Sequence, residues 1–480
     1  MGTLTTVDTQ ASSRHEWIAT QTLNTRFGTF NFSGGYPTAE SSRKIATLLT
    51  LSRAVEAYLA HMPVVSWYSV WRGVSKAGRG VANQLVIWES LMDAQTLLLT
   101  GNSETVYGLA ALDLKRDGPV VVELPPGMLG TISDLWQLEI LGIGSTGVDK
   151  GEGGKVLLLP PDHAAAVPDG YIVARSRTYR VVLGVRGFLV DGKPDRAVAA
   201  MKETRIYPIA KAGAPQAMTF VNGSDQEIDT IFPDTPKFFE DLAEIVNSEP
   251  DRLSSEELFQ LAALGIEKGN PFKPDAQHRA LLAEGVHLAS AVARANTFAS
   301  SDPARLVYPD RRWESLFVGG SVTWDAQGFV NTDRRAAFAY AAIGMSPAMA
   351  DKVVGAGSQY LFTPHDAAGA FLDGGKSYRL RLPPNIPVKQ FWSVVVYDAV
   401  SRSMLRNGQR FPSVSQYTGP QANADGSIDI FFGPHAPQGP EQNWIKTLEG
   451  RGWFPLLRFY GPLEPFFDHS WKPDDIEPVR

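Results

Sequence analysis

The stretch FWSVVVYDAVSRSML, residues 391–405, gathers the densest set of chemically capable side chains in the chain. Trp392, Tyr397, Asp398 and Arg402 set two aromatic rings, an acid and a base around the end of one apolar strand. Asp398 there suits a general acid or base, and Arg402 suits a grip on an anionic part of a substrate. Downstream, EQNWIKT supplies Asn443 and Trp444, and RFYGPLEPFFDHSW supplies Arg458, Tyr460 and Trp471. Rings stack on a ligand while amides and carboxylates fix its orientation, so this mixture fits carbohydrate or aromatic ligands. A sandwich core with aromatics at its rim fits the same residues. Glu104 with Tyr107 is the equivalent pair in the first half. The expected catalytic set is therefore Asp398, Arg402 and Tyr397, with Trp392, Trp444, Asn443, Glu104 and Tyr107 as ligand contacts.

Other chemistry is less supported. GIGSTGVDKGEGGK (142–155) has the Gly142-x-Gly144-x-x-Gly147 spacing of a dinucleotide loop, but Gly147 leads to a turn and another strand. Pyrophosphate binding needs a helix N-terminus at that point. Gly375-Lys376-Ser377 likewise leads into a strand, so both clusters read as turns between strands. There is no Gly-x-Ser-x-Gly elbow and no cysteine, which removes thiolate metal sites, cysteine nucleophiles and disulfides. The eight histidines show no helical zinc spacing. His435 and the pair Asp468-His469 leave a metal ion open, and no other cofactor is indicated. Asp134, Asp398, Asp429 and Glu464 lie in or beside apolar strands, where a carboxylate is either functional or paired with a base.

The elements that must hold these residues follow from periodicity. A polar arm spans 1–35. Ile45, Leu48, Leu49, Val55, Leu59 and Met62 then recur at helical spacing, and a second helix is expected over 83–99. From 105 to about 208, PVVVELPP, ISDLWQLEILG, KVLLLPP and GYIVARSRTYRVVLGVRGF alternate with Pro and Gly turns, the texture of an antiparallel sandwich or jelly roll. Residues 236–300 return to helix, with a capping box in Ser254 and Glu257, and a short helix starts at Thr332. Strand texture resumes after Gln359. The chain reads as α+β, with two antiparallel jelly-roll-like β-sandwich domains each preceded by helices. The expected divisions are an arm at 1–35, a helical segment at 36–101, a first sandwich at 102–215, a mainly helical middle at 216–350 and a second sandwich at 351–480.

The 480 residues carry a net charge of −6, with 44% hydrophobic and 20% charged residues, a normal globular profile. No concentrated basic face supports nucleic-acid binding. No apolar run approaches the ~18 residues needed to span a bilayer, and the first thirty residues lack a signal-peptide pattern, so a cytoplasmic chain without a membrane partner is expected.

Several long motifs resemble those of the bacterial proteins that carry paired domains of unknown function, numbers 1254 and 1214. In the first half these are NSETVYGLAALDL, GPVVVELPP, DLWQ, DKGEGGKVLLLPP and PDGYIVARSRTYRV. In the second they are FWSVVVYDAVSRSML, DGSIDIFFGP, NWIKTLEGRGWFPLLRFYGPLEPFFD and SWKP. One position departs: Glu104 stands where the family motif usually has Asp, which keeps the charge and changes its reach. The resemblance implies jelly-roll-like domains around a helical region and supplies no reaction. The leading expectation is a soluble enzyme, a hydrolase or lyase, acting on a small organic or sugar-like substrate without a nucleotide cofactor. The alternative is a non-catalytic glycan-binding or oligomer-forming jelly-roll protein. A small-molecule or carbohydrate ligand and a homo-oligomer are the expected partners.

Overall fold

The computed structural model describes residues 20–78, 80–250 and 253–479; the arm expected over 1–35 lies outside them up to residue 19. Its contacts divide the chain into two units, 1–61 with 233–292, and 62–232 with 293–480. In the first, β1 (Thr20–Thr25), β2 (Gly28–Ser33) and β3 (Tyr36–Pro37) form a small antiparallel sheet. The helix Ala39–Gly78 starts there, and helices Lys237–Ser248, Ser255–Ala262 and the first part of Ala276–Phe298 complete the unit. Tyr58 packs on Phe238 at 4.2 Å and donates to Asp234, which also accepts from Ser290. The capping box forms as its spacing predicts: Ser254 Oγ accepts from the Glu257 amide and the Glu257 carboxylate accepts from Ser254 N.

The second unit holds two sandwiches. The first contains β4 (Gln84–Ile87), β5 (Thr105–Asp113), β6 (Val120–Leu124), β7 (Leu129–Asp134), β8 (Glu139–Ile143), β9 (Gly154–Leu159), β10 (Ile172–Arg175), β11 (Arg180–Phe188), β12 (Arg205–Pro208) and β13 (Thr219–Asn222). One sheet runs β13-β4-β5-β11-β7-β8 and the other β10-β9-β6-β12. They close on a shared core that includes Val106, Leu112, Val122, Ile132, Leu158, Leu183 and Ile206. After a short ladder of β14 (Asp325–Ala326) and β15 (Phe329–Val330) comes the helix Thr332–Ala341. The second sandwich follows: β16 (Ser358–Phe362), β17 (Ser377–Leu382), β18 (Val388–Asp398), β19 (Ser413–Ser415), β20 (Ile428–Gly433), β21 (Trp444–Lys446), β22 (Trp453–Pro462) and β23 (Glu477–Val479). Its sheets run β16-β22-β18-β19 and β21-β20-β17-β23, around Leu380, Trp392, Val394, Ile430, Leu457 and Phe459. The protein is α+β with paired β-sandwiches.

Two expectations change. The pairs β9–β10, β4–β13 and β20–β21 are parallel, so the sheets are mixed. Each pair is joined by a long connection, which a parallel pair requires. The helix expected over 83–99 is strand β4 followed by turns. β4 is buried on both faces, so its apolar residues run continuously and give no period-two signal. Both glycine clusters are turns entering strands, β9 and β17. No helix among the described residues is long and apolar enough to cross a membrane.

Candidate functional site

Strand alternation builds the site. In β5 and β11 one face feeds the sandwich core, and the other carries Tyr107 and Leu109, paired with Arg186 and Gly184. The row continues into β7, where Arg186 pairs with Leu129 and Gly184 with Thr131, and then to Gly142 of β8. β22 of the second sandwich behaves alike: Leu457 and Phe459 enter its own core, while Leu456 and Arg458 point the other way. Arg458 pairs across to Tyr360 of β16. Residues of these outward faces, the end of the Thr332–Ala341 helix and the segment 342–353 surround a cavity of about 330 Å³. Its walls are chiefly Leu98, Leu99, Leu109, Leu316, Phe317, Phe338, Met345 and Met349. Glu139 and Asp351 are its carboxylates.

Besides these two carboxylates, the cavity holds cations and phenols. Arg458 is 4% exposed; its Nη2 donates to the carbonyls of Thr100 (2.6 Å) and Gly101 (3.2 Å) and to Tyr397 Oη (2.7 Å). Its Nε is buried without a partner. The Arg186 guanidinium lies over the Tyr107 ring at 5.9 Å. Among the described residues no carboxylate pairs with either arginine. Arginine does not deprotonate in such a place, so one fully buried charge, at Arg458, and one half-buried charge, at Arg186, are held there, the first at a cost on the order of several kcal/mol. Burial pushes the Tyr397 phenol up to about 12, against the pull of Arg458. Burial also raises Tyr460, whose oxygen accepts from Asn102 at 2.7 Å. These phenols stay protonated at neutral pH and can donate.

Of the residues expected from sequence, Tyr107 lines the cavity. Tyr397 lies behind it, donating to Gly101 O and accepting from Arg458. Asp398 ends β18, accepts from Val400 N and Ser401 N at 2.8 Å, and pairs with Arg451 at 3.2 Å. Arg402 has a left-handed φ of 58°, lies over the Tyr340 ring at 4.3 Å, and donates to Tyr340 O and Val400 O. Its carbonyl accepts from Thr100 N, a cavity residue. Glu104 accepts from Ser103, Ser413 and Ser415. Trp392 lies in the core of the second sandwich, Trp444 donates to Gly433 O, and Asn443 bonds Gln421 and Asp429. None of these six last-named side chains lines the cavity. The other strand carboxylates are anchored too: Asp134 with Arg177, Asp429 with Arg381 and Glu464 with Lys352. No group of three potential metal ligands is gathered among the described residues.

Arg186, Tyr360 and Gly184 escape the sequence reading. The available signal is RVVLGVRGF, where Gly184 and Arg186 stand two apart in a strand whose other central residues are Val181, Val182, Leu183 and Val185. They share one face of that strand, which marks it as the face that approaches something.

Fold and site together define a double-sandwich α+β protein with an arginine-bearing internal cavity. Residues 82–208 match the model described as "Protein of unknown function (DUF1254)", and 357–464 match "Protein of unknown function (DUF1214)". The chain belongs to the family that carries these two domains in this order. Among curated proteins none matches its sequence. Among solved structures, it resembles the VPA0106 protein of Vibrio parahaemolyticus, with a TM-score of 0.53 and 18% identity over 90% of this chain and 100% of that one. An uncharacterised protein of Burkholderia cenocepacia matches at a TM-score of 0.42 and 14% identity, over 91% of this chain and 96% of the other. The Vibrio likeness supports the fold.

Proposed function

We propose that the chain binds a small organic anion in this cavity, with the acid group held by Arg186 and Arg458 beside Tyr107 and Tyr360. One observation carries the reading: a buried and a half-buried guanidinium, Arg458 and Arg186, neither with a carboxylate partner among the described residues, both line a cavity whose other walls are mostly apolar. An anion there removes the cost of the buried charges, and apolar contacts hold the rest of the molecule. Hydrolysis or elimination of the bound anion is the enzymatic extension of this reading, with Tyr107 as the acid and Glu139 as the base among the groups that line the cavity. Arg402, whose carbonyl accepts from Thr100 N, and Tyr397, which donates to Gly101 O, then act as positioning residues for the cavity wall, and Asp398 acts one step further back, its carbonyl accepting from Arg402 N.

Titration of the full chain with a panel of organic acids, followed by calorimetry, tests the proposal. Binding that falls at least about tenfold in Arg186→Met, with the fold retained, is expected, since a charge-assisted contact is lost. Equal binding of the panel by wild type and variant would contradict it.

A further inference from the structure

We infer that the ligand is a monocarboxylate with an apolar body of about ten non-hydrogen atoms; the inference rests on the anion site proposed above. Three observations set its class.

The first is Gly184. Its φ is not in the left-handed region, and a Cβ built there would press on the side-chain atom Leu109 Cδ2 at 3.3 Å and reach backbone only at Thr131 O, 4.0 Å away, so neither turn geometry nor a backbone clash demands glycine. Its neighbour Gly130 differs: a Cβ there would lie 2.1 Å from Gly184 O. Gly184 stands in the middle of β11 and on the cavity wall. A glycine inside a strand weakens it and commonly marks the close approach of a ligand or another backbone. At Gly184 the open side is the cavity, so the missing side chain is room for the ligand's body.

The second is volume. A cavity of about 150 Å³ accommodates benzene, so one of about 330 Å³ has room for roughly twice as many non-hydrogen atoms. A short acid such as acetate would leave most of it unfilled.

The third is the sign and number of charges. The arginines favour an anion, while Glu139 and Asp351 also line the cavity and oppose a second negative charge on the ligand. Gly142 leaves space for Glu139, since a Cβ there would sit 3.0 Å from that carboxylate. A carboxylate carries one charge at neutral pH, and a phosphate monoester carries up to two.

The test is calorimetric titration of the full chain with decanoate, decyl phosphate, decanol and acetate, repeated on Gly184→Val, Gly184→Ala and Arg186→Met. Decanoate is expected to bind at least about tenfold more tightly than each of the others, because each lacks either the tail or the matched charge. Gly184→Val should weaken decanoate about tenfold or more and leave acetate unchanged. Gly184→Ala should give a smaller loss in the same direction, which serves if the valine variant folds poorly. Decyl phosphate binding as tightly as decanoate would overturn the carboxylate class while the anion site stands. Equal binding of acetate and decanoate, or decanoate binding indifferent to both Gly184 variants, would overturn the apolar body alone. Decanol binding as well as decanoate, with Arg186→Met without effect, would remove the anion site itself.

Discussion

Arg186 and Arg458 share a cavity but differ in what their side chains hold. Arg458 donates to two backbone carbonyls and a phenol, so Arg458→Met leaves buried acceptors unmet. Loss of about 1–3 kcal/mol is expected for such a change, read as a lower melting temperature. Arg186 instead meets the Tyr107 ring and the Tyr360 phenol, and replacing its half-buried charge by a chain of similar volume should stabilise the unliganded protein by about 1–2 kcal/mol. A thermal melt of both variants separates these signs. A fall in melting temperature for Arg186→Met would mean that the guanidinium holds the fold together. Asp398 belongs with Arg458: its carboxylate accepts two turn amides and an Arg451 contact, so Asp398→Ala should cost about 1–3 kcal/mol. An undiminished melting temperature with loss of ligand turnover would return Asp398 to a direct chemical role. Sequence picks out FWSVVVYD correctly as unusual and misassigns its geometry, because neighbours in a strand point to opposite faces. Trp392 enters one core while Tyr397 faces the cavity side.

Elements explain which parts of the chain were legible. Helices with a wet face declare themselves, as at Ser255–Ala262 and Thr332–Ala341. β4 did not, since all four of its residues are buried. β22 is buried along its whole length, so its sequence shows that it is central and hides which face Arg458 occupies. That assignment needs the register with β16 and β18, strands from 60 to 100 residues away in sequence. The turn region before β16 also carries a titrating group. Glu314 is 4% exposed in its side chain, lies 3.2 Å from Arg305 and 3.9 Å from His365, and burial pushes its carboxyl up to about 7. A folded-state value above the unfolded value of 4.5 means the native state binds the extra proton between those pH values. This contribution to stability is therefore present below about pH 4.5 and is lost as pH rises to about 7, by up to about 3 kcal/mol. Glu314→Gln should flatten that slope in melts taken between pH 5 and 8. An unchanged slope would place the pH dependence elsewhere.

At the scale of the second unit, the cavity exists because two sandwiches each turn an outer sheet face toward it. Their hydrogen-bonded seam includes Glu104, which accepts from Ser413 at 2.8 Å and Ser415 at 2.7 Å, and Asn102, which donates to Tyr460. Glu104→Gln keeps the shape and weakens the charge-assisted bonds, so ligand affinity should fall several-fold although Glu104 does not line the cavity. Amide hydrogen exchange across residues 97–104 should rise in the same variant. The most direct test of the account is calorimetric titration of wild-type protein and Arg186→Met with decanoate at neutral pH. The account predicts saturable binding at one site per chain in the wild type and a loss of about tenfold or more in the variant. Identical binding curves for the two proteins, or none for the wild type with any organic anion, would contradict it.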